Sequence, residues 1–218
     1  MSTRRSLLRK AGLTGIGTVA GITLLPSPPD ATDPTGTVEA AEPPAAVSEW
    51  IDEPITDEDD TPIGRYHYEP TSNGFRATAP FNVVLLPDAD GARGLERVMS
   101  VLDDEGWIRN PEEYTRFAWD REAEAYVRQQ TTAAQAYYGA NGRRHVRCWS
   151  FENVVSMQAH EDTPARPKHG VTSYQRGRDT IEAIFAGEGW QVSPSAIDLA
   201  NETGPDHDGF ATVIAEEP

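Results

Sequence analysis

Apolar residues fall into distinct arrangements along this chain, and each predicts a different element. Phe81-Asn82-Val83-Val84-Leu85-Leu86 is a nearly unbroken apolar run closed by Pro87-Asp88. That is the pattern of a short interior strand covered on both faces. Leu95, Val98, Met99 and Leu102 then recur at i, i+3, i+4 and i+7, the stripe of an amphipathic helix. Gly106 stops that helix and Trp107 folds back behind it. The same ending returns later. Ile181, Ile184 and Phe185 match Val98, Val101 and Leu102 at a constant offset, and Glu188-Gly189-Trp190 repeats Glu105-Gly106-Trp107.

Between these units the pattern alternates. From Arg143 to Asp179 the chain reads RRHVRCWSFENVVSMQAHEDTPARPKHGVTSYQRGRD. Successive strand side chains point to opposite faces. His145, Arg147 and Trp149 therefore share one face, against Val146 and Cys148. In the next run Val154, Ser156, Gln158 and His160 oppose Val155, Met157 and Ala159. In an antiparallel hairpin the two apolar faces coincide only if the connection has an even length, such as Phe151-Glu152 or Ser150 to Asn153. That register sets Val146, Cys148, Val155, Met157 and Ala159 against the helices. It leaves a polar and aromatic strip on the far side.

Two strand–helix–Gly–Trp units predict an α+β fold: a two-layer βαβ-type sandwich with pseudo-twofold logic, ferredoxin-like with a helical insertion. Chance similarity of two amphipathic helices is the competing explanation. The insertion is Arg121 to Tyr138, which has alanines and glutamines but neither Gly nor Pro and so reads as a helix. Aromatic residues in the surrounding Pro111 to Asn141 segment either join the core or wall a pocket. Phe210 to Ala215 reads as the last strand, and Asn201-Glu202-Thr203 as a glycosylation sequon. Residues 26–74 are rich in Pro, Asp, Glu, Ala and Thr. Such a segment buries too little surface to offset its ordering entropy and reads as a disordered acidic tether. Trp50, Ile51, Tyr66 and Tyr68 would be its weak docking points. The expected division is 1–25, a signal segment; 26–74, a linker; and 75–218, a single α+β domain.

Charge narrows the partners. The chain has 19 basic and 35 acidic residues, a formal charge of −16. That balance excludes a phosphate backbone as a natural partner and argues against a polybasic membrane-surface binder. Lys10 and Lys168 are the only lysines. Acid surplus with scarce lysine resembles the proteins of salt-loving archaea, whose surface repulsion concentrated salt screens; an ordinary acidic protein of a GC-rich genome is the alternative. The single cysteine, Cys148, excludes an intramolecular disulfide and a cysteine zinc cage. Ser2-Thr3-Arg4-Arg5-Ser6-Leu7-Leu8 resembles the twin-arginine export consensus. The Gly- and Thr-rich run Ala11 to Leu25 that follows is shorter than the about 20 apolar residues of a membrane span and suits a signal sequence. Export of an already folded domain to the cell surface or beyond is the expectation, with membrane association through an uncleaved signal as the alternative. Nothing in the pattern indicates an oligomeric state.

The strip carries the candidate chemistry. Its ligand-binding candidates are His145, Arg147, Trp149, His160, Asp162, His169 and Arg176. The arginines could clamp a phosphate or carboxylate through paired donors. His145 and His160 with a carboxylate could hold a divalent metal, or a histidine could act as general acid or base. Against these stands a purely structural network in which Arg147, Arg176 and Arg178 pair with Glu161, Asp162 and Asp179. The sequence contains no strong metal motif, no Gly-x-Ser-x-Gly elbow and no phosphate loop, and it names no cofactor.

Pro80-Phe81-Asn82-Val83-Val84-Leu85, the Gly106-Trp107 ending, Arg144-His145-Val146-Arg147-Cys148-Trp149 and the His169 to Asp179 segment together resemble the LssY C-terminal domain family, over about Phe75 to Trp190. The resemblance implies a cell-envelope setting, beside membrane segments of the DedA-like or phosphatidic-acid-phosphatase-like kind. It supplies no catalytic residues, and the insertion, the acidic tether and the lack of such membrane segments depart from the pattern. The leading expectation is an exported envelope domain that binds a small or anionic ligand through the His145–Arg147–Trp149 face. The alternatives are a hydrolase of phosphoester or lipid-like substrates, with His145, His160 and Asp162 as general base or metal ligands, and a structural envelope module.

Overall fold

The apolar run at Phe81–Leu86 needs cover on both faces, and the fold provides it at the centre of a large sheet. The computed structural model describes residues 44, 47–51, 53–56, 59–111, 114–137, 142–164 and 170–217. The signal segment, the first part of the tether and His169 lie outside the described residues. In chain order the strands and helices are β1 (Tyr66–Thr71), β2 (Gly74–Pro80), β3 (Val83–Leu86), α1 (Gly91–Asp104), β4 (Ile108–Arg109), β5 (Phe117–Asp120), β6 (Ala125–Arg128) and β7 (Thr131–Ala134). They continue with β8 (Arg144–Phe151), β9 (Val154–Asp162), β10 (Val171–Ser173), α2 (Tyr174–Gly187), β11 (Gln191–Val192), β12 (Ile197–Asp198) and β13 (Phe210–Ala215). The fold is α+β.

A nine-stranded sheet runs β11-β13-β3-β9-β8-β7-β4, with β10 added on β9 and β12 on β13. A four-stranded sheet runs β2-β1-β5-β6. The pseudo-twofold relation is visible at the middle of the large sheet. β3 and β9 are antiparallel neighbours; one is followed by α1 and the edge strand β4, the other by α2 and the opposite edge strand β11. Both helices end on a glycine with left-handed backbone, Gly106 at φ 77° and Gly189 at φ 84°, where a side chain would be strained. The following Trp107 and Trp190 are buried in the same core cluster.

β3 sorts its residues by parity. Val83 and Leu85 face the helices with Leu95, Val98, Met99, Leu102, Ile181 and Phe185. Val84 and Leu86 face the other way, into a second core with Phe81, Trp149, Ile197 and Val213. The hairpin follows the even register: Cys148 pairs with Met157, Val146 with Ala159 and Trp149 with Ser156, around the two-residue connection Glu152-Asn153. Val146, Cys148, Val155, Met157 and Ala159 lie in the helix-side core as expected. α2 reaches β9 very closely, because a Cβ on Gly177 would sit 2.4 Å from the backbone of His160.

Several expectations need correction. Arg121 to Tyr138 is no helix over its described part: it contains β6 and β7. Cross-strand pairing overrides its helical composition, with Trp119 opposite Tyr126 and Thr131–Ala134 fully buried against β8. The tether becomes part of the fold well before Phe75. Val47, Ile55 and Ile63 are spaced apolar plugs buried in the second core, and Tyr66–Thr71 is a paired strand. The body therefore has three layers, helices, large sheet and small sheet, where two were expected. It also departs from the ferredoxin-like layout, since β13 runs parallel to β3 and the large sheet is extended at both edges. α2 begins at Tyr174. Ser173 accepts from the Arg176 amide at 2.9 Å, and Asp206 accepts from the Tyr174 amide at 2.7 Å, a double cap on the first turn. The sequon residue Asn201 is 1% exposed. Its Nδ2 donates to the Arg65 and Phe81 carbonyls and its Oδ1 meets His207 Nε2 at 2.7 Å, so in the folded domain it is a structural brace and no glycan acceptor.

Candidate functional site

Pairing of β8 with β9 sets His145 beside His160, Arg147 beside Gln158 and Trp149 beside Ser156. The polar and aromatic strip is therefore assembled as its alternation requires. Its environment is the surprise. His145, Arg147, Trp149, Gln158 and His160 are all between 0% and 4% exposed, because the small sheet covers them. From β1, His67 stacks on the Trp149 indole with ring centroids 5.8 Å apart and an interplanar angle of 17°. Phe81 meets the same indole edge-on at 5.2 Å, and Trp149 Nε1 donates to the Val127 carbonyl at 3.3 Å. Ser156 Oγ accepts from the Gly64 amide at 3.0 Å. An indole gains from such burial, provided its N–H is satisfied. This end of the strip is closed.

Next to it the two sheets part around a cavity of about 410 Å³. His67, Glu69 and Thr78 line it from the β1–β2 hairpin, Tyr114 and Arg116 from the approach to β5, Arg147, Gln158 and His160 from the hairpin, and Tyr174 from α2. His160 is clamped at both ring nitrogens. Nδ1 lies 2.5 Å from Gln158 Nε2, and Nε2 lies 2.8 Å from Asp162 Oδ1. An ionised carboxylate only accepts, so Nε2 carries the proton and Nδ1 accepts from the Gln158 amide, an assignment made from the network. Behind it, Asp162 Oδ2 is 3.1 Å from Arg143 Nη1, with side chains only 3% and 0% exposed. His67 Nδ1 meets Thr78 Oγ1 at 2.8 Å. Burial holds His67 well below the ordinary imidazole range, with the Arg147 and Arg116 charges adding to the effect and Gln158 opposing it. It is neutral at pH 7.

The cavity is positive inside an acidic chain. Among the described residues, Arg116 and Arg147 line it with one carboxylate, Glu69. Glu69 is itself paired with Arg76 and lies 3.9 Å from Arg116. Arg147 Nη1 donates to the Tyr114 carbonyl at 2.8 Å and to Gln129 Oε1 at 2.9 Å, which fix the guanidinium at the cavity wall.

The expected site residues separate into groups. Arg147 and His160 line the cavity. His145 packs edge-on to His160 at 4.9 Å and, with Asp162, stands behind it. Trp149 belongs to the closed end. Arg176 points outward, its side chain 61% exposed, and bridges to Glu161 at 2.9 Å, one pair of the structural network weighed above; Arg144 also binds Glu161 at 3.1 Å, whereas Arg178 pairs with Asp208 and Asp162 with Arg143. Cys148 faces the helices, and burial pushes its thiol up, away from nucleophilic chemistry. His145, His160 and Asp162 do bring donor atoms within 4.8 Å of one another, a set right in kind for a metal. The geometry argues against a cation there. Asp162 is already shared between His160 and the buried Arg143 guanidinium, which would repel the ion.

Tyr114 is one of the aromatics of Pro111 to Asn141 expected either to join the core or to wall a pocket, and it does line the cavity. His67, Glu69 and Arg116 escaped the sequence reading, the first two because they lie in the segment taken for a tether and Arg116 because it precedes the expected insertion. Their signal is the alternation in Tyr66-His67-Tyr68-Glu69 and in Phe117-Ala118-Trp119, which is strand-like despite its polarity. Among the described residues, no helix is long and apolar enough to cross a membrane. The chain matches no protein-family model, no curated protein and no solved structure.

Proposed function

We propose that the protein binds a small anionic ligand, a carboxylate or phosphate compound, in the cavity between the two sheets. The observation that carries this reading is the described lining, in which the guanidinium groups of Arg116 and Arg147 converge with His67, His160 and Tyr174 and one carboxylate, Glu69, that also pairs with Arg76, in a chain of net charge −16. Guanidinium groups bind planar oxyanions by paired donors, and a partly desolvated site strengthens that attraction. Neutral His67 and the Tyr174 hydroxyl add polar groups that orient a ligand without repelling it. Within the same proposal, the twin-arginine-type segment exports the domain already folded, which suits a site built from strands far apart in sequence. The acid surplus then serves solubility in salt, and the LssY-like motifs supply the strands.

The test is thermal unfolding with inorganic phosphate and with citrate, at matched ionic strength. Wild type is expected to gain stability that saturates with ligand concentration. Arg116→Gln, at a half-buried position, is expected to unfold near the wild-type temperature without ligand and to lose the gain. Equal stabilisation of both proteins would sink the proposal.

One observation favours a second reading, hydrolysis of a phosphoester: His160 lines the cavity with its Nε2 held on Asp162, the arrangement that orients a general base once the Gln158 amide yields Nδ1 to a substrate. Turnover of a generic phosphoester that Asp162→Asn abolishes would support it; binding without turnover leaves the first reading alone.

A further inference from the structure

The small sheet has an outer face as well as the inner one that closes the cavity. On β5 the alternation turns Ala118 inward, fully buried, and sends Phe117 and Trp119 outward. On β1 it turns His67 inward and Tyr68 outward. Register then places Tyr68 opposite Phe117 and Trp119 opposite Tyr126. The rings join into one surface. Phe75 lies on Tyr126 at 4.0 Å and 21°, Trp119 and Tyr68 each meet Tyr126 at 5.0 Å, and Phe75 meets Phe117 at 5.2 Å. Phe75 and Trp119 remain 39% exposed. Folding gains little from leaving large rings contiguous in water, and such patches mark interaction surfaces.

This face runs into a cavity of about 480 Å³ that shares no lining residue with the anion cavity. Tyr68, Trp119 and Tyr126 supply rings to its wall, and Asp120, Glu122, Glu152, Arg65 and Arg121 supply charges of both signs. The charge balance selects the occupant. Three carboxylates beside two guanidinium groups attract neither a polyanion nor a polycation strongly, yet they offer donors and acceptors together. Stacked rings on a sheet suit nucleic-acid bases, but a net charge of −16 repels the phosphates that go with them. A neutral sugar ring fits both features: its C–H face lies on an aromatic ring, and its hydroxyl rim bonds to carboxylates and guanidinium groups.

The geometry points to a second site, in which the aromatic outer face of the small sheet and its adjoining cavity bind a neutral polysaccharide. Titration calorimetry in concentrated salt tests it, with cello-, manno-, xylo- and isomalto-oligosaccharides as probes. At least one probe is expected to give saturable binding that weakens roughly tenfold or disappears in Trp119→Ala and in Tyr126→Ala. The anion-site variant Arg116→Gln is expected to bind the sugar as wild type does, which keeps the two sites distinguishable. Trp119→Ala, at an exposed position, is expected to melt as wild type, so its loss of binding reads the site and not the fold. Tryptophan emission should change on binding in wild type and not in Trp119→Ala, since Trp107, Trp149 and Trp190 are buried, Trp50 is partly buried against the second core and Trp119 is at the surface. No binding by any of the four probes would overturn the proposal, as would equal binding by wild type and both aromatic variants. Binding of oligothymidylate or of anionic vesicles at this face in place of the sugars would overturn it too.

Discussion

The two faces of the β8–β9 hairpin are equally dry and differently made. Toward the helices lie Val146, Cys148, Val155, Met157 and Ala159; toward the small sheet lie His145, Arg147, Trp149, Ser156, Gln158 and His160, and both sets are within 4% of complete burial. The helix side is held by area and shape, which tolerate similar volumes. The small-sheet side is held by partners: Asp162 for His160, Gln158 for its other nitrogen, the Tyr114 carbonyl for Arg147. Burying polar groups stabilises little in net terms and is expensive to leave half done. Two histidines and an arginine buried side by side, where aliphatic residues would pack, are what the proposed ligand site calls for.

The largest effect that separates the faces is expected at Asp162. Asp162→Ala strands the Arg143 guanidinium, whose side chain is 0% exposed, and should cost about 3–5 kcal/mol in denaturant unfolding. A loss under about 1 kcal/mol would mean that the pair is solvated and the face is wet. Next comes a matched pair of substitutions. Gln158→Leu removes the amide that meets His160 Nδ1 and should cost about 1–3 kcal/mol together with anion binding. Met157→Leu, one residue away on the apolar face, should cost less than about 1.5 kcal/mol and leave binding intact. If both behave alike, the distinction between the faces fails.

A smaller effect is expected from pH. His67 is held well below the usual value of 6.5 in the folded chain, and His207 is also lowered, mainly by burial. Near pH 6.5 and below, the unfolded state takes up protons that the folded state refuses, so stability falls as pH falls. Above that range both states are neutral there and these groups add no slope. Unfolding free energies measured from about pH 7 to pH 5 should decline in wild type and decline less in His67→Phe. Smallest of all is Arg176→Gln. Its guanidinium is mostly exposed, and Arg144 stays on the buried Glu161 when it is lost, so about 0–1 kcal/mol is at stake, and anion binding should be unchanged.

How much of this was legible follows from the range of each signal. The hairpin faces were legible because strand alternation is local and an even connection, realised at Glu152-Asn153, fixes the register. The helix endings were legible because Gly106 and Gly189 need left-handed backbone. The small sheet was not. Its inward positions His67, Ala118 and Val127 are weakly apolar, its strands β5 and β6 have four residues each, and acidic turns join them to segments that resemble tether or helix. Half of the cavity comes from that sheet, so His67, Glu69 and Arg116 could not be placed beside Arg147 from sequence. The strip was grouped correctly but assigned to the surface, because alternation says which residues share a face and not what covers it.

The central claim is that the buried polar face is a ligand site. It is tested most directly by following the imidazole signals of His67, His160 and His207 by NMR as inorganic phosphate is added. His67 and His160, which line the cavity, should shift together along one saturation curve, while His207, bonded to Asn201 and set behind the Tyr174 ring at 5.6 Å, moves less. Movement of His207 alone, or no saturable movement of His67 and His160, would contradict the account.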